Sequence, residues 1–378
     1  MLASIMVMES PARVEHSLET ESEDIQFTSG RGTSSSYLST GGSASQSIDA
    51  NHIAALASGG WIIGSEFNAS LTFGTNTLQP TSPFANYGEF FLAIADDAGV
   101  WQSVFGADHS YGGGGLSFLT DVAVDVSGDI AISGYYYGEI AFPSIQGQNI
   151  ILTNTNSGYH FEGFVATATP NGDWQWVRGL ETLVNGTGEY SSTTGVGFSA
   201  SGDVLLTGEF EGETDFGGVP LNVSNAEVYV ANYDFGSGGL NWVVSGGGIG
   251  VNRVFDLAPT TNGGVKIATI SDGFSQWGST SYLAKGTIDA VVIEFDAGGA
   301  LVGLDGYGSP NEQTIILDIE IDFNGDTYYA GTFGGTLTGT GWSATASYGG
   351  NDIFIVREAV SSANSWAFVS GSSQADEP

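Results

Sequence analysis

The side chains in this sequence that could do chemistry are almost all carboxylates. Asp318-Ile-Glu320-Ile-Asp322 places three acids on one face of an extended strand, because side chains alternate along a strand with period two. Asp322-Phe-Asn324-Gly-Asp326 carries on with the oxygen spacing of a calcium loop. Thr327 stands where such a loop needs Gly, and Phe333 where it needs a second acid. Asp121 and Asp125 hold matching places earlier in the chain, and Asp125 also opens the segment Ser127-Gly128-Asp129. Neighbouring acids repel one another unless a cation intervenes. The candidate metal ligands are therefore Asp318, Glu320, Asp322, Asn324, Asp326, Asp121 and Asp125, and calcium is the ion they would take; no other cofactor is required. The competing reading of the two Gly-Asp segments is a hairpin turn, in which Asp, Asn and Gly serve backbone geometry.

Other chemistry finds little support. The four histidines, His16, His52, His109 and His160, show no metal-ligand spacing and are expected on the surface or in turns. No Gly-x-Ser-x-Gly elbow and no phosphate loop occurs. Asp97-Ala-Gly-Val-Trp101 approaches the Asp-box turn of sialidases. Those enzymes need clustered arginines for a substrate carboxylate, and the five here are scattered at 13, 31, 178, 253 and 357. No catalytic residue is assigned, and the chain reads as a non-enzyme. Three sequons, at Asn68, Asn185 and Asn222, fall in expected loops.

Charge and composition exclude further classes. With 7 basic and 42 acidic residues the net charge is −35, so the protein's own field repels nucleic-acid phosphate and anionic lipid. The chain has no Cys, which removes disulfide scaffolds, thiol enzymes and zinc ribbons. Among its 378 residues are 58 Gly, which disfavour helix, while Val, Ile, Phe, Tyr and Trp favour pleated surfaces. An all-β protein is expected.

The elements that must position the acids are legible as a repeat. GGWIIGSEF (59–67), SGDIAISGYYYG (127–138), SGDVLLTGEFEG (201–212), NGGVKIATISDG (262–273) and NGDTYYAGTFGG (324–335) share a turn followed by a β-forming run. Their anchors Gly59, Gly128, Gly202, Gly263 and Gly325 are spaced by 69, 74, 61 and 62 residues. A short strand precedes each anchor. A Gly-rich loop, a third strand and a fourth strand, usually with Trp, follow it. Four strands joined by turns form an antiparallel meander. Apolar residues at successive positions, as in Phe90-Phe91-Leu92, indicate sheets buried on both faces, which radial blades of a β-propeller provide for each other. The expected fold is a β-propeller of about five four-stranded antiparallel blades over residues 25–371, with units at about 50–118, 119–193, 194–252, 253–313 and 314–371.

Read as D-x-x-G-[DN]-x-x-x-[ST]-G, then F-G, [DE]-x-[FY]-[VI]-A and [DN]-x-x-G-x-x-x-W, the unit resembles the prokaryotic SBBP-type β-propeller repeat over about residues 50–371. The resemblance implies a propeller in a large surface or secreted protein. That family carries no agreed catalytic residues, so none is transferred.

Residues 1–24 are expected to be a disordered acidic tail and 372–378 a polar one. The apolar run from Leu2 to Met8 is too short to span a membrane and lacks a basic segment before it. Residues 24–30 look like a further fourth strand, which would complete the last blade or pair with a neighbouring molecule. The expected function is a non-enzymatic extracellular or cell-surface module, structural or adhesive, assembling with itself or with other surface proteins or glycans, without nucleic acid and without membrane insertion. The alternative is a recognition propeller that binds glycan or calcium through the loops at about 68–88, 138–160, 272–288 and 334–350.

Overall fold

The structure is a computed structural model. It describes residues 25–27, 36–38 and 51–373, apart from 84–87, 145–146, 148, 155–159, 184–188 and 340–341. The tail expected over 1–24 lies outside the described residues. The fold is nearly all-β and of the β-propeller type, built of four-stranded antiparallel sheets. The helix present among the described residues is a single 3-10 turn, Ser362–Asn364.

The strands fall in two compact units, described separately. Within Glu9–Gly179, the first meander runs His52–Ala55, Trp61–Phe67, Glu89–Ala95 and Trp101–Gly106. The second runs Gly115–Val124, Ile130–Phe142, Glu162–Ala168 and Trp174–Gly179. Within Leu180–Pro378, the third runs Gly195–Phe198, Val204–Asp215, Pro220–Tyr233 and Leu240–Ile249. The fourth is Asn252–Pro259, Val265–Ser271, Asp289–Phe295 and Leu301–Tyr307. The fifth is Thr314–Ile321, Thr327–Phe333, Asp352–Glu358 and Trp366–Ser370.

Each anchor glycine takes up the left-handed conformation that its turn demands, as Gly128 does at φ 88° and Gly325 at φ 86°. The third strands are the centre of each core. Glu89–Ala95 and Glu162–Ala168 are buried along their whole length, as sheets covered on both faces require. Phe90 of the first meander sits 5.9–6.0 Å from the rings of Phe142, Phe164 and Trp174 of the second. Ala268, Val292 and Tyr307 of the fourth pack with Ile316, Tyr329 and Phe354 of the fifth. Burying one such side chain contributes about 1.5–3 kcal/mol, so successive meanders stabilise one another chiefly by apolar contact.

Three expectations need correction. Four meanders, not about five, are regular four-stranded blades. In the third, the long strand Val204–Asp215 pairs with three short pieces, Glu181–Leu183, Tyr190–Ser191 and Gly195–Phe198. Its last strand also runs on to pair with Phe274–Trp277, giving an eight-stranded sheet. Gly248 permits this, because a Cβ there would collide with the Phe274 carbonyl. Second, among the described residues Ile25–Phe27 pairs with Ser36–Leu38 and not with a blade, while the last blade has its own fourth strand, Trp366–Ser370. Third, the segments expected as binding loops are largely small hairpins: Leu71–Phe73 with Asn76–Leu78, Phe142 with Ile150, Phe274–Trp277 with Thr280–Leu283, and Thr336–Gly339 with Trp342–Ala346. Their aromatic residues Phe73 and Trp277 turn inward and are buried, as is Phe216 at the corresponding tip of the third meander, because a hairpin this short must borrow the blade's core.

Candidate functional site

The calcium-like segments form a particular turn. The Asp125 carboxylate accepts the N–H groups of Ser127 and Asp129, both at 2.8 Å. The Asp322 carboxylate likewise accepts those of Asn324 at 2.8 Å and Asp326 at 3.0 Å. In both turns the backbone closes twice, from the Asp N–H to the carbonyl four residues on and from the glycine N–H back to the Asp carbonyl. Asp96 and Asp296 make the same turn between third and fourth strands. One carboxylate oxygen therefore serves two backbone donors, which explains the one-three-five spacing without an ion. Asp326 accepts the Val360 N–H at 2.8 Å and is ion-paired to Arg357. The Val360 hydrogen bond and then the Arg357 guanidinium hold its carboxyl below the usual range. Burial, then the charge of Asp125, raises Asp129.

Asp318 and Glu320 are exposed on the first strand of the fifth meander, and Asp121 is half-buried on that of the second. Asp121 and Asp125 thus belong to one unit, and Asp318 to Asp326 to the other. Among the described residues, no three His, Asp or Glu side chains converge as metal ligands. Asp121, Asp256 and Asp318 each follow a register shift in their first strand, seven residues before the anchor glycine. Asp256 escaped the sequence reading although this spacing identifies it. Its Oδ1 accepts the Leu257 N–H at 2.7 Å, and its Oδ2 accepts the Ile319 N–H of the fifth meander at 3.1 Å.

A second pair of acids lies seven residues after an anchor. Glu66 accepts the Leu119 N–H of the second meander at 2.9 Å, and Glu209 accepts the Val254 N–H of the fourth at 3.3 Å. Each clamps the next meander's first strand just before its bulge. Burial raises both carboxyls above the ordinary value of 4.5, against the opposing pull of those N–H groups. Burial and the charges of Glu209 and Glu211 push Tyr190 up to about 12.

A third set lies on the third strands: Glu89, Glu162, Asp289 and Asp352 open theirs, and Glu227 lies inside the third meander's Pro220–Tyr233. These acids hold the chain that precedes them or neighbouring hydroxyls. Asp289 accepts the Lys285 and Gly286 N–H groups at 2.7 and 2.8 Å, and Glu162 accepts the Tyr136 hydroxyl at 2.9 Å. Glu89 accepts the N–H groups of Thr81, at 2.6 Å, and Ser82, and lies 3.1 Å from Nδ1 of His109. Nε2 of His109 is 2.6 Å from the Ser117 hydroxyl. This is the connectivity of a hydrolytic triad. His109 and Ser117 are 0% exposed and Glu89 1%, so the hydroxyl presents no face to a substrate. His109 was expected at the surface; it is buried because both ring nitrogens find partners and its ring meets Phe90 edge-on. Burial alone would raise the Glu89 carboxyl, but the His109 hydrogen bond and charge outweigh it, and the net shift is downward.

Exposed apolar side chains are spread over the meanders, Val126 at 90%, Ile249 at 85% and Phe323 at 72% among them. Trp366 and Phe368, on one face of the last strand, are 42% and 60% exposed. Of the three tyrosines 135–137, Tyr136 is buried, while Tyr135 stacks on Phe118 at 4.9 Å with Phe161 at its edge. Compared with known protein families and with curated proteins, the chain matches none. Fold and site together define a class: a β-propeller-type repeat protein with antiparallel sheets, whose carboxylates at repeated positions bind its own backbone. Among the described residues, no helix is long and apolar enough to cross a membrane.

Proposed function

We propose that the protein is a non-enzymatic module of the extracellular or cell-surface kind, of the SBBP type, that acts structurally or adhesively by assembling with itself. The carrying observation is the contrast between polar and apolar groups. Asp125, Asp322 and Asp326 are engaged by backbone N–H groups and, for Asp326, by Arg357, whereas the last strand presents Trp366 and Phe368 to water. Exposed aromatic residues side by side mark contact surfaces more than catalytic ones. The burial of Ser117 supports the non-catalytic reading. The surface placement rests on the repeat resemblance and on an acidic composition that keeps a protein soluble in salt-rich water. Calcium is not needed for this assembly, because the Asp125 and Asp322 turns already have their donors.

The alternative is glycan recognition, for which the Phe118, Tyr135, Tyr137 and Phe161 group is the best seat. Sedimentation of the full chain over a concentration series, with calcium and with a chelator, separates the readings. Mass rising with concentration in both buffers is expected. A monomer throughout that binds a glycan array favours the alternative and overturns the assembly reading.

A further inference from the structure

We propose that Phe118, Tyr135 and Phe161, with Glu66 beside them, form a binding site for a small organic cation of the quaternary ammonium class. The site is independent of the assembly reading. All four residues lie within the unit Glu9–Gly179.

Sheet register brings the rings together. Phe118 pairs with Tyr135 across the first two strands of the second meander, so their side chains share one face. Their rings are stacked, 4.9 Å apart and inclined by 23°. Phe161, one residue before the third strand, stands across both, 5.8 Å from Phe118 at 73° and 5.4 Å from Tyr135 at 85°. The three rings are only half-buried, whereas Tyr136, on the opposite face, is 1% exposed.

Glu66 reaches this group from the first meander. A Cβ built at Gly88 would lie 2.9 Å from the Cβ of Glu66 and 3.6 Å from the Phe118 ring, so bare backbone separates the acid from the aromatic group. The Glu66 charge is felt at Tyr135, whose phenol is raised first by burial and then by that charge.

The chemistry of the walls selects the ligand. Ring faces attract a cation through their quadrupole, and a neighbouring carboxylate adds to the attraction. Both Glu66 oxygens already accept hydrogen bonds, Oε1 from the Leu119 N–H at 2.9 Å and Oε2 from the Asn51 side-chain amide at 3.3 Å. A primary ammonium would bring three N–H donors to a wall of rings, and a calcium ion would require several oxygen ligands. A quaternary ammonium needs neither. The net charge of −35 favours a cation and disfavours the carboxylate of a zwitterion. The ligand is therefore a monocation of the choline or tetramethylammonium kind.

The test is calorimetric titration of the full chain with choline at fixed ionic strength, compared with 3,3-dimethylbutan-1-ol, its neutral isostere with carbon in place of nitrogen. The expected result is saturable binding of choline, with the isostere weaker by about tenfold or more. Tyr135→Leu and Phe161→Leu keep apolar bulk and remove a ring face. Each should weaken choline by roughly 2- to 30-fold and leave the isostere nearly unchanged. Glu66→Gln should weaken choline as well, and circular dichroism checks that each variant keeps its fold. Equal affinity for choline and the isostere overturns the proposal, and that comparison needs no variant. Choline binding that survives both ring variants undiminished overturns it too. So does an absence of choline binding, and sugars bound on a glycan array would then return the rings to the alternative reading. Self-association is measured separately by sedimentation, so the failure of one reading is distinguishable from the failure of the other.

Discussion

The first and fifth meanders carry the same repeat in different circumstances. In the first, Glu89 is held by Thr81, Ser82 and His109, and Phe105 is covered by the meander that follows. In the fifth, Asp352 accepts the Tyr348 N–H, its buried Oδ1 has no hydrogen-bond partner among the described residues, and Phe368 faces water. One repeat position thus gives a saturated network in one place and an open one in another. What a residue contributes depends on the neighbouring meander more than on the repeat itself.

The largest expected separation is at the buried acids. His109→Ala strips Glu89 of a buried partner and should cost ~3–5 kcal/mol in urea unfolding. Asp352→Asn removes a charge whose second oxygen is unmatched and should change stability by less than ~1 kcal/mol. Equal losses would mean that the two networks are alike. Next are the aromatic rings. Phe105→Ala should cost ~2–3 kcal/mol, somewhat less than a fully buried ring. Phe368→Ala should stay within ~0.5 kcal/mol, as exposed sites do, and its effect should appear in association. A matching drop in melting temperature for both would show that Phe368 is covered in the free molecule.

The smallest effect is in pH dependence, and it sharpens the contrast between clamping and saturated acids. Glu66 is raised above the ordinary 4.5, so its favourable contribution is complete below that value and is lost as pH climbs through the folded-state pKa. Glu89 is lowered, so its contribution is present above 4.5 and fades as pH drops through the folded-state pKa. Melting curves should therefore show Glu66→Gln gaining on the natural chain near neutrality, with the gain shrinking toward pH 4.5. Glu89→Gln should lose near neutrality and recover in acid. The same sign for both variants would contradict the two environments.

Much of the fold was legible because a repeat announces itself. The five anchor glycines, the Phe90-Phe91-Leu92 run of a third strand and the Trp-bearing fourth strands form as their patterns imply. Site chemistry was less legible. The spacing in Asp322-Phe-Asn324-Gly-Asp326 is common to a calcium loop and a backbone turn, and only the direction of its oxygens toward N–H groups tells them apart. Glu66, Glu209 and Asp256 went unnoticed because their partners are backbone N–H groups more than 40 residues away, which no local spacing encodes. His109 looked like a surface residue because nothing adjacent in the chain shows that Glu89 and Ser117 close around it.

The amino-acid order alone determined strand identity, turn chemistry and the need for each sheet to be covered on both sides, since these follow from short-range sterics and the period of apolar residues. Tertiary structure alone decided which acids are buried, which blade merges with its neighbour's hairpin and which aromatic face is left open. Those outcomes depend on which meander lies against which, and water is excluded or admitted by that packing.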